Sequence, residues 1–369
     1  MLEATRRGIS AGVTHPVTLA MVVAFGLGAV IIAVTGGAPL AAFSDMFTGA
    51  FTGRGLPNTL GRAIPVIGMA LAVSLAFRAG ILNLGGEGQM LMGGLAGTMT
   101  AITVPGPGYL VVPLALVVGG LAGAGWALLA ALGQTHLQVP LLITSLLLNY
   151  VARSTTSYLV RFPFGAPGAP FATTVPVPET ARIPRIDLFP GGRVSISLLF
   201  VLGFAGLLAV VYRRSVFGYE TEMVGLSGPF SRYGGVHVER HTLAIMAGAG
   251  AIGGLVGTHL VVGETFRYID ADMIAQSGFA WTGLMVSLLA LNRPLLIVAA
   301  GLLFAGLQIG GFAMERASGV SWQLAQVIQA VVIVALVSRF AITRGRRRSE
   351  AETEAVPEPD AEATQVGKV

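Results

Sequence analysis

Few residues in this chain are equipped for chemistry, and one stretch concentrates them. Phe77-Arg78-Ala79-Gly80-Ile81-Leu82-Asn83-Leu84-Gly85-Gly86-Glu87-Gly88-Gln89 holds four glycines and one carboxylate between two long apolar runs. Inside a bilayer, broken backbone and a charge are tolerated only where protein or a water-filled cavity satisfies them. The stretch is therefore either a loop at a membrane face or a re-entrant break lining a pathway. Glu87 either braces the broken backbone or faces the pathway; the plainer alternative is a solvated loop acid. A structural role is favoured, because a buried charge needs a partner. Asn83 and Gln89 flank it with donors and acceptors able to satisfy the backbone of the break. Elsewhere the chemistry thins out. The five histidines (His15, His136, His237, His241, His259) contain one i, i+4 pair, His237 and His241, with no third ligand nearby. A surface position explains that pair better than a metal site. No Ser-His-Asp or paired-carboxylate arrangement stands out. There is no cysteine, hence no disulfide or thiolate site. Lys368 is the only lysine, so the chain lacks the Gly-Lys-Ser/Thr of a standard nucleotide-hydrolysing loop. If ATP drives this protein, another chain binds it.

The elements that must position these residues are membrane helices. Of 369 residues 54% are hydrophobic and 11% charged, and the mean hydropathy is +0.76. Repeated apolar runs of about 20 residues make this an all-α polytopic membrane protein. Ten spans are expected: 17–34, 59–77, 89–104, 109–132, 139–160, 194–212, 242–262, 278–291, 295–312 and 322–337. The first is read as a retained helix and not as a signal peptide. Pro65 lies inside the second span and predicts a kink. Residues 36–58 fit an interfacial helix and loop. Residues 161–193, with seven prolines, fit an extended surface loop. Residues 341–369 turn basic and then acidic, and fit a disordered tail. The transmembrane domain is thus expected over 17–340, after a short N-terminus, 1–16.

Basic residues orient the chain. Ten spans place Arg6, Arg7, Arg78, Arg213, Arg214, Arg232, Arg240, Arg293, Arg339 and the cluster after Arg344 on one side. That side is expected to be the cytoplasm and to hold both termini. The net charge of +5 therefore orients the protein in lipid and does not suggest nucleic acid. The third and eighth spans are short, and each follows a polar, glycine-containing break. Short segments in corresponding places of two halves point to a transport site; in a chain with 51 glycines, chance is an equal reading on pattern alone. Asn149, in mid-helix, reads first as an interhelical hydrogen-bonding strut. Gln276, Trp281 and Gln308 are pathway candidates of the second half, although Trp281 is equally explained as an interfacial anchor. Phe77 and Phe279 are able to stack on a ring-shaped solute, though most membrane aromatics merely pack.

Five motifs in order carry a resemblance. Phe77 to Gln89 resembles the F-R-A-G-L-F-N-I-G-x-E-G-Q signature of ABC importer permeases, in the branch serving simple sugars and nucleosides, related to branched-chain amino acid permeases. Leu148-Asn149-Tyr150 is similar to M-L-N-Y, with Leu141 where an acid often precedes it. Met223 to Val236 resembles A-V-G-x-N-P-x-A-A-x-Y-A-G-I: Gly225, Tyr233 and Gly235 match, while Ser227-Gly228 and Phe230-Ser231 depart. Gly278 to Pro294 is similar to G-F-x-x-I-A-V-A-L-L-G-x-N-x-P, with Leu291 where a small residue is usual. Gly310 to Val320 followed by Gln329 matches the closing pattern. The likeness spans roughly 41–337.

The resemblance implies two related halves with short or broken helices at the pathway, for a nucleoside or simple sugar. It implies no cofactor and no metal. It implies four kinds of partner: a cytoplasmic ATPase, a second permease subunit, an extracytoplasmic solute-binding protein and the bilayer. It places ATPase coupling in 213–240, at Gly225, Pro229, Phe230, Arg232, Tyr233 and Gly235. It places the pathway at Asn83, Glu87, Gln89, Asn149, Gln276, Trp281 and Gln308. The competing function is an ion-coupled secondary transporter, which uses intramembrane acids; Glu87 is nearly its only candidate. No catalytic constellation supports a membrane-embedded enzyme.

Overall fold

The computed structural model describes residues 16–189, 192–275, 277–331 and 334. Gln276 and the expected tail at 341–369 lie outside the described residues. The chain forms two compact units, residues 40–325 and residues 1–39 with 326–369. In the second unit, α1 (Pro16–Val34) is apolar on all sides. The elements from α2 (Pro39–Phe51) to α13 (Pro294–Ser318) belong to the larger unit.

That unit is built around α3 (Gly55–Arg78), in which every residue from Ala63 to Ala76 is buried. A helix apolar all round buries itself at the centre of a bundle. Pro65 sits within α3, and the helix continues through it; in lipid, neighbouring helices can satisfy the carbonyl that proline frees. Three further helices pack backbone to backbone: α4 (Gly86–Thr103), α5 (Gly108–Leu137) and α10 (Val238–His259). A methyl group added to Gly93 would lie 2.2 Å from the Cα of Gly254, and one added to Gly123 would lie 2.3 Å from the carbonyl oxygen of Gly250. Only glycine permits that approach, the usual device for joining helices where lipid supplies no hydrophobic drive. The Thr258 hydroxyl adds a bond across the seam, donating to the Gly93 carbonyl at 3.1 Å.

The other face of α3 receives α12 (Phe279–Leu289) and α13 (Pro294–Ser318), through Gly283 on Met69 and Gly301 on Ile67. α6 (Leu141–Arg161) and α7 (Ser197–Arg214) lie outside with long exposed apolar faces. Among the described residues, five segments are long and apolar enough to cross a membrane: α3, α5, α7, α10 with the turn that follows it, and α13. α12 and 22–34 are shorter apolar segments. A last helix covers 323–331.

Two expectations need correction. α2 (Pro39–Phe51) does not merely lie at an interface. It buries Ala42, Met46 and Ala50, and Gly310 of α13 lets the Met46 backbone approach. The proline-rich segment after α6 is not simply a surface loop. Val177, Ala181 and Ile183 enter a core cluster with Val261, Val262 and Tyr268. The segment ends in an antiparallel hairpin of β1 (Arg185–Phe189) and β2 (Gly192–Ser195), with Arg185 opposite Ser195, and it bridges Thr173 to Ile269. Its prolines hold the backbone extended, while the apolar residues between them close one end of the bundle.

Candidate functional site

α3 ends in a left-handed turn. Gly80 (φ 70°) lets its own N–H reach the Phe77 carbonyl, while the Ile81 N–H reaches that of Ala76 at 3.0 Å. The chain then turns back into the bundle. Gly86, the first residue of α4, lies against Met69, nine residues before the end of α3, or about 13 Å along a helix. The break is therefore re-entrant, and its polar backbone needs partners away from water.

Side chains supply them. The Asn83 Oδ1 accepts from the Gly85 N–H at 2.9 Å and from the Gln89 amide at 3.2 Å. Asn149 bonds twice, accepting from the Gly88 N–H at 2.8 Å and donating to the Leu84 carbonyl at 2.8 Å. The Ser145 hydroxyl accepts from the Leu84 N–H at 3.2 Å. Glu87, in the first turn of α4, is buried and takes a 2.5 Å bond from the Arg153 guanidinium; a carboxylate there also suits the helix dipole. Ser145 and Arg153 are absent from the residues singled out in the sequence, yet a signal for them exists. Ser145, Asn149, Arg153 and Ser157 recur every four residues along α6, a stripe on one face, beside further polar residues at Thr144, Ser154, Thr155 and Thr156. The last member of the stripe, Ser157, bonds the Asp270 carboxylate at 2.7 Å.

A second interruption mirrors the first. α10 widens into a π turn (Leu260–Thr265), and a short α11 (Ala271–Ala275) follows. Gly278 (φ 68°) then opens α12. The starts of α4 and α12 face one another: a methyl group on Gly86 would lie 3.7 Å from the Ala280 Cβ. Between them is a cavity of about 10 Å³, walled by Asn83, Glu87, Asn149, Ala280 and Trp281 among others. That volume is the size of a single water. Asn83, Glu87, Gln89, Asn149 and Trp281 are thus gathered at one place. The Gln89 Oε1 is buried with no hydrogen-bond partner among the described residues.

Gln308 belongs to a different cluster. Its Oε1 accepts from the Arg62 Nε at 2.8 Å, and Arg62 also donates to the Ser277 carbonyl at 3.3 Å. The guanidinium stacks 4.1 Å over the Phe279 ring.

At the Arg78 end of α3, α8 (Val216–Leu226) and α9 (Gly228–Tyr233) form a separate feature. The Ser227 side chain caps α9 by accepting from the Phe230 N–H at 3.3 Å, and Pro229 occupies its first turn. Gly234 and Gly235 (φ 85°) end it. Ser231 faces inward, whereas Phe230 is 62% and Tyr233 93% exposed. Arg232 pairs with Glu239 at 3.6 Å. Gly225 touches the break itself: a methyl group there would sit 2.1 Å from the Arg78 carbonyl oxygen. Arg78 also pairs with Glu222 at 2.9 Å and stacks on Tyr212. The expectation of surface histidines holds for His237, which is exposed, and fails for His241. His241 is buried 3.0 Å from the Thr221 hydroxyl, because α8 folds back over it. Among the described residues no group of acids, histidines or cysteines is arranged to hold a metal ion.

The family described as the permease component of the branched-chain amino acid transport system matches residues 55–337. The chain belongs to this permease family. It is 34% identical over 357 residues to a glucose ABC transporter permease of Haloferax volcanii, covering 91% of this chain and 92% of that protein. It is 29% identical over 328 residues to a guanosine ABC transporter permease of Bacillus subtilis, with 88% and 93% covered. A nucleoside ABC transporter permease of Lactococcus lactis is 27% identical over 339 residues, with 88% and 90% covered. No solved structure matches significantly. The protein is thus a multi-pass membrane permease, the non-catalytic subunit of an ABC importer. Such a permease works with an ATPase and a solute-binding protein.

Proposed function

We propose that the permease carries a nucleoside or a simple sugar, along a pathway that passes between the starts of α4 and α12. The observation that carries this reading is the facing of two interrupted helices across Gly86 and Ala280. Two helix starts brought together in this way bring their positive dipole ends close to one place, where a polar solute is favoured. Asn83, Gln89, Asn149 and Trp281 add amide and aromatic contacts there, and Gln308 adds another on the Gly55 side. The cavity of about 10 Å³ there holds no more than one water. Ten spans, with both termini and α9 in the cytoplasm, agree with the arginine asymmetry of the sequence. The Gly55 end of α3 and the β1–β2 hairpin then face the binding protein, and a second permease completes the pair. An ion-coupled carrier would need Glu87 free, and Arg153 already holds it.

The test is uptake by the complete importer, reconstituted with its own ATPase and binding protein. Guanosine, adenosine and glucose are offered separately. ATP-dependent accumulation of a nucleoside or of glucose supports the reading. Accumulation that persists without ATP and follows a sodium or proton gradient overturns it.

A further inference from the structure

Arg62 is a charge that α3 carries seven residues into a membrane-spanning helix, about 10 Å below its start. An arginine there is expensive unless it is paired or faces an aqueous cavity. Its bonded partners are all uncharged: the Gln308 amide oxygen, the Ser277 carbonyl and the Phe279 ring. These come from α13, the turn before α12, and α12 itself, so the guanidinium plane is fixed from three sides. Its Nη1 takes part in neither bond. Among the described residues no carboxylate lies within ion-pair distance of it.

Arg62 borders a vestibule of about 350 Å³, whose wall includes Asn58, Arg185, Arg193, Ser195, Glu264 and Ile309. Two of these cations are already engaged. Arg185 donates to the Gly263 carbonyl at 2.8 Å, and Arg193 pairs with Asp187 at 3.0 Å. Three guanidinium groups stand against Glu264 on the wall and the Asp187 that pairs with Arg193, which leaves an excess of one positive charge about the concave space.

We propose that Arg62 is the selectivity contact at the outer mouth of the pathway. It presents a fixed, forked donor to solutes that carry oxygen acceptors, such as ring carbonyls and sugar hydroxyls, and it repels cations. A fixed arginine in a narrow pore excludes cations by the same electrostatics, and the planar guanidinium offers a geometry that an ammonium cannot match. The role rests on the pathway reading above, both for the place of this vestibule on the route and for the direction of travel.

The absence of cysteine makes the test direct. Ile309→Cys places one thiol on the vestibule wall of the complete importer in proteoliposomes. Its rates with methanethiosulfonates bearing a sulfonate or a trimethylammonium are measured, each normalised to a free thiol. The sulfonate reagent is expected to be favoured at least tenfold. Adding Arg62→Gln should lower that preference at least fivefold, and adding Arg62→Lys should retain it. In the uptake assay, both Arg62→Lys and Arg62→Gln should raise the half-saturating concentration of guanosine or glucose about tenfold, with a smaller change in maximal rate. A purely structural role would instead lower the amount of folded complex and leave half-saturation alone. An unchanged reagent preference in Arg62→Gln, or wild-type half-saturation in both variants, overturns the proposal. If the wild-type importer accumulates neither probe, the cargo reading fails, and the thiol preference still decides the role of Arg62.

Discussion

Leu291 and Asn292 both sit in the left-handed region, at φ 53° and 55°, in the turn between α12 and α13. Asparagine tolerates that conformation, and its Oδ1 accepts from the Ser287 hydroxyl at 2.8 Å. Leucine does not, which explains why the resembling motif has a small residue there. Leu291→Gly should therefore stabilise the permease by about 1 kcal/mol, read as a rise of a few degrees in detergent. Glu87 and Arg153 make the opposite case. Arg153→Met would strand a buried carboxylate at a cost of about 3–5 kcal/mol. Glu87→Gln with Arg153→Met should recover most of that loss, and the thermal midpoints of the single and double variants check the coupling. Glu87 and its need for a partner were legible in the sequence. The identity of the partner was not singled out, because Arg153 lies 66 positions away in another helix, among several other polar residues. Only the four-residue recurrence from Ser145 to Ser157 marks that face. Arg62 was not singled out either: it lies near the start of the expected 59–77 span, its companions come from the turn before α12, from α12 and from α13, and no local pattern reports them.

Helices and breaks were the most legible scale. The glycine-rich stretch at 80–88, the short helix after 278 and the small helix around Phe230 all follow from composition and punctuation. What composition did not reveal was depth. Free backbone groups at a break predict that something must satisfy them, but whether water or Asn149 does so is decided by tertiary packing. The proline-rich segment was misjudged for a related reason. Prolines announce extended backbone, and the burial of Val177 and Ile183 depends on what lies beneath. The contact between Gly225 and Arg78 is a further case of packing without a local signal. It joins the end of α8 to the end of α3, backbone on backbone, so a movement of α8 is transmitted to the start of the break with little slack. Gly225→Val would force the two apart. Transport should fall at least tenfold while the ATPase remains bound, as checked by uptake and by co-purification on the same preparation. Wild-type transport in that variant would place the transmission elsewhere.

At the scale of the whole machine, a permease without a nucleotide site must receive its force through a contact on one face. α9 is built to stand proud of that face. Its start is fixed by Ser227 and Pro229, its end by Gly234 and Gly235, and its inner side by the buried Ser231. What remains outward is Phe230 and Tyr233, three residues apart on one face of the helix. A loop serving only to set topology through Arg213, Arg214, Arg232 and Arg240 has no use for two aromatic rings in water. Rings presented on a short rigid helix fit a groove on a partner, where aromatic anchors carry much of the binding energy. Phe230→Asp would replace such an anchor by a charge that must be desolvated in the groove. The loss should be about 2 kcal/mol or more, roughly a thirtyfold weakening. The ring is largely exposed, so the variant should insert and run as a monodisperse permease on size exclusion. The ATPase should be lost from the purified complex, and uptake with it. Phe230→Tyr, which keeps the ring, should retain both. ATPase held at wild-type stoichiometry by Phe230→Asp, with transport intact, would mean that the force enters through another surface.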